Sequence, residues 1–441
     1  MKPLVALVGR PNVGKSTLFN SLAKARISIV EDIPGITRDR IYTDVSWYDR
    51  EFTIIDTGGI EPKSKDIILS QMREQAQIAI DTAHVIVFIT DVQSGMTDDD
   101  MEIANMLRRS QKPTVLAVNK VDSFKKQEAE TFEFYQLGLG EPIAISAEQK
   151  LGLGDLLDEV LKYFPEKAEI EEEDDRIKVA IVGKPNTGKS SLINRVLGKN
   201  RLIVSEIAGT TRDAVDTEVK YGDREYVFID TAGIRRHAKI KEDLEHYMVL
   251  RAVSAVERSD VAILVIDAEE GVTEQDAKIA GIIHDRGKGC IIAVNKWDLI
   301  EKDNNTVKKF DEKIRSILSF MPYAEIVYIS ALTGQRVTKL FSMIEKVDEN
   351  CSLRIKTGVL NEIVSEATAL QAPPTDKGKP LKIYYVTQVS VKPPTFAVFV
   401  NSKKQAHFSY MRYIENKIRE AFGFFGTPIV LLIREKKRDQ K

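Results

Sequence analysis

GRPNVGKS, residues Gly9–Ser16, fits G-x-x-x-x-G-K-[ST], the phosphate-binding P-loop. The run LVALV before it is short, apolar and β-branched, which predicts a buried strand. STLFNSLAKA after it places Leu18, Phe19 and Leu22 on one helical face. That is the strand–loop–helix setting the motif requires. Gly9 and Gly14 let the backbone of Arg10, Pro11, Asn12 and Val13 curl so that successive N–H groups converge on a phosphate. The positive end of the following helix adds to the same field. Lys15 is placed to reach the β- and γ-phosphates, and Ser16 to ligate Mg²⁺.

The motif occurs twice. GKPNTGKS, spanning Gly183, Lys184, Pro185, Asn186, Thr187, Gly188, Lys189 and Ser190, lies 174 residues further on, behind the strand-like IKVAIV. PGITRD (34–39) and AGTTRD (208–213) keep the 174 offset, as do DTGGI (56–60) and DTAGI (230–234). NKVD (119–122) and NKWD (295–298) are offset by 176, and SAE (146–148) and SAL (330–332) by 184. A repeat of that length is a duplicated domain, with insertions late in the second copy. Between the motifs, apolar strand-like runs (HVIVFITD, TVLAVNK, EPIAIS; VAILVID, GCIIAVNK, EIVYIS) alternate with helical ones (DDDMEIANMLRRS, LGDLLDEVLKYF). Alternation of this kind predicts two doubly wound α/β domains with ligands at the carboxyl ends of the strands.

The expected bounds are 1–165 for the first domain, 166–176 for a linker, 177–350 for the second domain and 351–441 for the remainder. PEKAEIEEEDDR, Pro165–Arg176, carries seven acidic residues in twelve and reads as a solvated linker. The last segment reads as a small α+β domain in the order αββαβ, with QAPPTDKGK as a flexible loop. Its GFFG, Gly423–Gly426, looks like the GXXG clamp of KH domains. It sits between a helix and a strand, however, where a KH clamp joins two helices, so it reads as a helix cap and turn.

With 43% apolar and 29% charged residues the chain has the composition of a globular protein. The charge is unevenly spread. Residues 351–441 hold 16 Lys and Arg against 7 Asp and Glu, a net +9, which leaves −11 for the first 350 residues of a chain at −2 overall. A basic C-terminal domain behind acidic ones points to an anionic partner. Cys290 and Cys351 show no metal or redox spacing and read as buried thiols. No apolar run reaches the ~18 residues of a membrane span, and no signal peptide opens the chain, so the expectation is a cytoplasmic protein, with a monomer expected separately.

The NKxD pair identifies the base. A carboxylate accepts two hydrogen bonds from guanine N1–H and its 2-amino group, which adenine does not offer; Asp122 and Asp298 are placed for this. Asn119 and Asn295 suit the opposite edge and bracing of the P-loop, and the stems of Lys120 and Lys296 suit the base face. Ser146 with Ala147, and Ser330 with Ala331, complete the two base sites. Thr37 and Thr211 lie in loops able to close on Mg²⁺ when a γ-phosphate is present, which makes them, with Lys15 and Lys189, the candidate catalytic residues. Asp56 and Asp230 end apolar runs where a carboxylate meets the metal through water. Thr57, Gly58, Gly59 and Ile60, and Thr231, Ala232, Gly233 and Ile234, follow, with Gly59 and Gly233 able to give N–H groups to a γ-phosphate.

In these motifs the chain resembles the TrmE–Era–EngA branch of GTPases, and specifically the Der (EngA) double-GTPase family. KPPTFAVFVN (392–401) and HFSYMRYIENKIREAFGFFGTPI (407–429) are similar to that family's last domain, which is KH-like and lacks GXXG. The resemblance covers nearly the whole chain. It implies a GTP-hydrolysing protein that associates with the large (50S) ribosomal subunit, contacts rRNA through the basic domain and acts in assembly of that subunit. Ile60 and Ile234 stand where Ras-type enzymes carry a water-orienting Gln. The resemblance implies K⁺ in compensation, held by the P-loop residues Asn12 and Asn186. Arg38 and Arg212 are alternative phosphate contacts, and the basic run RRHAKIK (235–241) a candidate nucleotide-gated contact. A tRNA-modification GTPase shares the Ile and Asn features but would carry a folate-binding or helical module. A nucleotide phosphotransferase lacks the paired NKxD. A degenerate RNA-binding protein would not keep both Lys–Ser pairs.

Overall fold

Leu4–Val8 (β1) is buried along its whole length, and its residues alternate between two cores. Val5 and Leu7 face one core with Leu18, Phe19 and Leu22, while Ala6 and Val8 face another with Ile103, Ala104 and Leu107. A strand buried on both faces is what helices on both sides of a parallel sheet produce. The computed structural model describes residues 2–24, 42–57, 72–73, 76–77, 79–122, 130–164, 175–198, 203–207, 216–231, 245–376 and 379–435. Thr37, Arg38, Gly58, Gly59, Ile60, Thr211, Arg212, Ala232, Gly233, Ile234, the run 235–241 and the acidic run through residue 174 lie outside them.

In the first repeat β1 is followed by α1 (Lys15–Lys24), β2 (Tyr42–Trp47), β3 (Arg50–Asp56), β4 (Val85–Asp91), α2 (Asp98–Ser110), β5 (Thr114–Asn119), β6 (Ile143–Ala144) and α3 (Leu153–Lys162). The sheet order is β2-β3-β1-β4-β5-β6, with β2 antiparallel to β3 and the other pairs parallel. The strand expected over EPIAIS is shorter, because Ser146 exchanges both backbone hydrogen bonds with Leu151 and turns the chain into the next loop.

The second repeat gives β7 (Ile177–Val182), α4 (Lys189–Leu197), β8 (Ile203–Ile207), β9 (Asp216–Tyr221), β10 (Arg224–Ile229), α5 (Glu245–Arg258), β11 (Val261–Asp267), α6 (Glu274–Asp285), β12 (Gly289–Asn295), α7 (Thr306–Ile317), β13 (Glu325–Tyr328) and α8 (Lys339–Ser352). Its sheet runs β13-β12-β11-β7-β10-β9-β8, parallel from β13 to β10 and antiparallel beyond. The fold is therefore the doubly wound one that the alternation predicts, twice over.

The C-terminal domain runs α9 (Thr357–Leu370), β14 (Thr375–Asp376), β15 (Lys379–Pro380), β16 (Ile383–Ser390), β17 (Thr395–Val400), α10 (Phe408–Phe422) and β18 (Val430–Glu435). Its three-stranded sheet β16-β17-β18 packs both helices on one face. The segment expected as a flexible loop holds a short β14–β15 ladder, closed by Leu381, which is buried and donates to Pro374 O at 2.8 Å. GFFG is a helix cap: Gly423 sits at φ 90° and its N–H reaches Arg419 O at 2.8 Å.

By its contacts the chain divides into two units, Met1–Asp174 with Glu242–Glu257, and Asp175–Lys241 with Arg258–Lys441. Cys290 and Cys351 are buried free thiols, which burial pushes up to about 12 and about 11 respectively. No helix among the described residues is long and apolar enough to cross a membrane.

Candidate functional site

Each P-loop is a backbone cradle closed by its lysine. Lys15 Nζ donates to Gly9 O and Arg10 O, both at 2.6 Å, and Lys189 Nζ to Gly183 O at 2.7 Å and Lys184 O at 2.5 Å. An ammonium held by carbonyls away from water carries a desolvation cost larger than the nearby carboxylates offset. Burial accordingly pushes both lysines down to about 8, against the opposing pull of Asp56 on Lys15 and Asp276 on Lys189. Asn12 and Asn186 are exposed at the turn of each loop, in the left-handed region at φ 65° and 61°.

The NKxD asparagines tie each cradle to its base site. Asn119 Nδ2 donates to Val13 O at 2.7 Å while its Oδ1 accepts from Ala147 N at 2.9 Å. Asn295 repeats both bonds, to Thr187 O at 2.8 Å and from Ala331 N at 2.9 Å. The approach is so close that a Cβ on Gly14 or Gly188 would lie 2.2 Å from the asparagine Nδ2, at φ 96° and 88°. Only glycine fits there. Residues at one position of the P-loop helix brace the Ser–Ala loops: Ser21 Oγ donates to Ala147 O at 2.7 Å, and Arg195 Nε to Ala331 O at 3.0 Å.

The two copies differ in detail. Ser146 Oγ donates to Asp122 Oδ1 at 2.8 Å, whereas Asp298 Oδ1 is buried with no hydrogen-bond partner among the described residues. Such an atom costs on the order of 1–3 kcal/mol until a donor reaches it. A guanine N1–H and 2-amino group are donors of the kind this carboxylate oxygen could accept from. Ser16 Oγ donates to Asp56 Oδ2 at 2.9 Å, which sets a hydroxyl and a carboxylate side by side, the hard oxygen pair that suits Mg²⁺. In the second copy Asp230 is at φ 53° and its N–H reaches Asp216 Oδ1 at 3.0 Å. Thr57 Oγ1 donates to Leu7 O at 2.5 Å, but Thr231 Oγ1 pairs with Thr217 Oγ1 at 2.6 Å. No group of three or more His, Cys, Asp or Glu side chains is placed to hold a metal among the described residues.

Residues 4–120 and 178–296 match the family model described as 50S ribosome-binding GTPase, and residues 354–434 match the KH-domain-like C-terminal domain of EngA bacterial GTPase enzymes. GTPase Der of Agathobacter rectalis is 69% identical over 439 residues, covering 100% of both chains. GTPase Der of Lachnoclostridium phytofermentans is 65% identical over 438 residues, covering 99% of both. The chain belongs to the GTPase Der family. It is a GTP-binding, GTP-hydrolysing protein with two GTPase domains and a KH-like domain behind them.

Around both sites of this Der-family GTPase stand residues that the motif reading missed. Asp91 Oδ2 pairs with Lys120 Nζ at 2.6 Å, and Asp267 Oδ2 with Lys296 Nζ at 2.5 Å. Thr97 with Asp100, and Thr273 with Asp276, form capping boxes at the N-termini of α2 and α6. Asp100 and Asp276 are fully buried and reach back to the second P-loop residue: Arg10 Nε lies 2.8 Å from Asp100, and Lys184 Nζ 3.9 Å from Asp276. The signal was present in the sequence. D-x3-G-x-T-x2-D occurs at Asp91–Asp100 and again at Asp267–Asp276, offset by 176 like NKxD.

Proposed function

We propose that the protein is a ribosome-associated GTPase switch that acts in assembly of the large (50S) subunit, contacting rRNA through its basic C-terminal domain. The observation that carries this reading is the doubled, intact nucleotide cradle, each copy braced by its NKxD asparagine and each matched by a family described as 50S ribosome-binding. In this proposal Lys15 and Lys189 lie along the β- and γ-phosphates, where a bound polyphosphate adds the negative charge that Asp56 and Asp276 only partly supply. Asp122 and Asp298 hold the guanine edge. Ser16 with Asp56, and Ser190 with Asp230, hold Mg²⁺ together with Thr37 and Thr211 from the switch loops; the ion supplies charge neutralisation at the phosphates. Gly59 and Gly233 give N–H groups to the γ-phosphate. Asn12 and Asn186 hold K⁺ in place of the missing glutamine, so hydrolysis runs faster in KCl than in NaCl at matched ionic strength; equal rates would remove that assignment.

The test of the whole reading is co-sedimentation of the full chain with purified 50S and 30S subunits, loaded with GDP or with a non-hydrolysable GTP analogue. The expected result is pelleting with 50S that depends on the nucleotide, with the dependence lost in Lys15→Ala. Equal pelleting with both subunits, or with both nucleotides, would overturn it.

A further inference from the structure

The helices of the C-terminal domain cover one face of its sheet, burying Val386, Phe396, Val398 and Val400. Side chains alternate along a strand, so Tyr385 and Phe399 belong to the opposite face. The register sets Tyr385 opposite Phe399, and Phe399 opposite Arg434, which makes one row across all three strands. The two rings are stacked, with centroids 4.3 Å apart and planes at 15°. Tyr385 stands on the edge strand β16 and is 40% exposed although Phe399 covers one of its ring faces, so its other face is open to solvent. Arg434 is exposed at the far end of the row. Beside Tyr385 on the same edge, the Lys382 ammonium lies 5.5 Å over the exposed ring of Tyr384.

An aromatic stack with an open end, flanked by cations in a domain of net charge +9, matches one class of ligand chemistry. Every nucleobase has a π-face that extends such a stack whatever its sequence, and the phosphates on either side of the base meet the cations. Paired bases are already stacked on both sides and cannot do so. In the sequence, residues 434–441 hold five cations, Arg434, Lys436, Lys437, Arg438 and Lys441, against Glu435 and Asp439. That excess of positive charge in the sequence favours a polyanion over a protein surface of mixed sign. We propose that Tyr385, Phe399 and Arg434 form a stacking platform for single-stranded RNA, with a base on the open face of Tyr385 and flanking phosphates on Arg434 and Lys382. The proposal rests on the RNA-associated reading above and supplies a contact that the GFFG turn does not.

The full chain with GDP would be titrated by fluorescence anisotropy against a labelled, non-self-complementary 12-nucleotide RNA and against the same strand in a duplex. Expected are preference for the single strand, a loss of about tenfold in Tyr385→Ala, near-parental binding in Tyr385→Phe, and a shallower salt dependence in Arg434→Gln. GTPase rate and thermal melting should be unchanged in all three variants, which separates a lost contact from a lost fold. The platform is overturned if Tyr385→Ala binds the single strand within twofold of the parent, if duplex and single strand bind alike, or if the parent binds neither. A Tyr385→Ala effect on subunit pelleting alone would likewise overturn it, in favour of a protein contact. If the oligonucleotide results hold but the parent fails to pellet with 50S, the platform stands and the ribosomal reading falls.

Discussion

At the residue scale Asp298 Oδ1 stands out, buried and without a hydrogen-bond partner among the described residues. Its counterpart Asp122 accepts a hydrogen bond from Ser146, so the two proposed base-reading carboxylates differ in how far they are satisfied. The second site therefore has more to gain from a donor, and substituting its carboxylate should act cleanly on base choice. In Asp298→Asn the amide turns a donor toward the base, which suits xanthine with its 2-oxo group and repels the guanine 2-amino group. Sites built to hydrogen-bond a substrate group discriminate on the order of 10⁴–10⁵-fold. The expected outcome, measured on the second site with Lys15→Ala silencing the first, is loss of GDP binding and gain of XDP binding. Retained GDP affinity with no gain for XDP would show that Asp298 does not read the base.

At the scale of elements, the sequence was legible wherever a period or a turn residue recorded the structure, and opaque where a long-range bond did. The helix expected over Asp98–Ser110 and the strand over Val261–Asp267 appear with those bounds, because apolar spacing and a capping threonine mark them. The apolar alternation of EPIAIS continues past the point where the Ser146–Leu151 bridge turns the chain, so the strand is shorter than its sequence suggests. The P-loop and NKxD residues were found because each motif carries its own spacing. Asp100 and Asp276 were not, for in one copy they look like an acidic first turn of a surface helix. Full burial and a cationic partner from the P-loop distinguish them, and only the repeat register brings those partners together on paper. The platform row was equally hidden. Tyr385, Phe399 and Arg434 are each separated by more than a dozen residues, and no periodicity links neighbours across a sheet.

At the scale of the whole molecule, the second GTPase domain and the KH-like domain form a joint within one unit, and β12 belongs to both of its ends. Cys290 N–H, near the start of the strand, donates to Gly426 O at 2.6 Å, and Gly426 N–H donates to Tyr323 O at 2.8 Å; Asn295, at its end, braces the base site. The GFFG turn is thus a docking element, close enough that a Cβ on Gly426 would meet Val347 at 2.2 Å. Beside it, His284 Nδ1 and Tyr323 OH are 2.8 Å apart, and the Arg419 guanidinium lies 4.9 Å over the Tyr323 ring. Burial, then the charges of Arg419 and Arg412, push His284 down to about 4, so it stays neutral in the folded joint. An unfolded histidine takes up its proton near pH 6.5, and the folded one only near 4. Stability held by the neutral ring is therefore complete above pH 6.5 and drains away as the pH falls toward 4, by about 2 kcal/mol at pH 5. Urea unfolding at pH 7 and pH 5, followed by tryptophan fluorescence, should show that loss in the parent beyond whatever His284→Gln shows, since glutamine keeps a polar partner for Tyr323 but does not titrate. Equal acid sensitivity in the two proteins would mean that the joint gains nothing from a neutral His284, and that other titrating groups set the acid limit of the molecule.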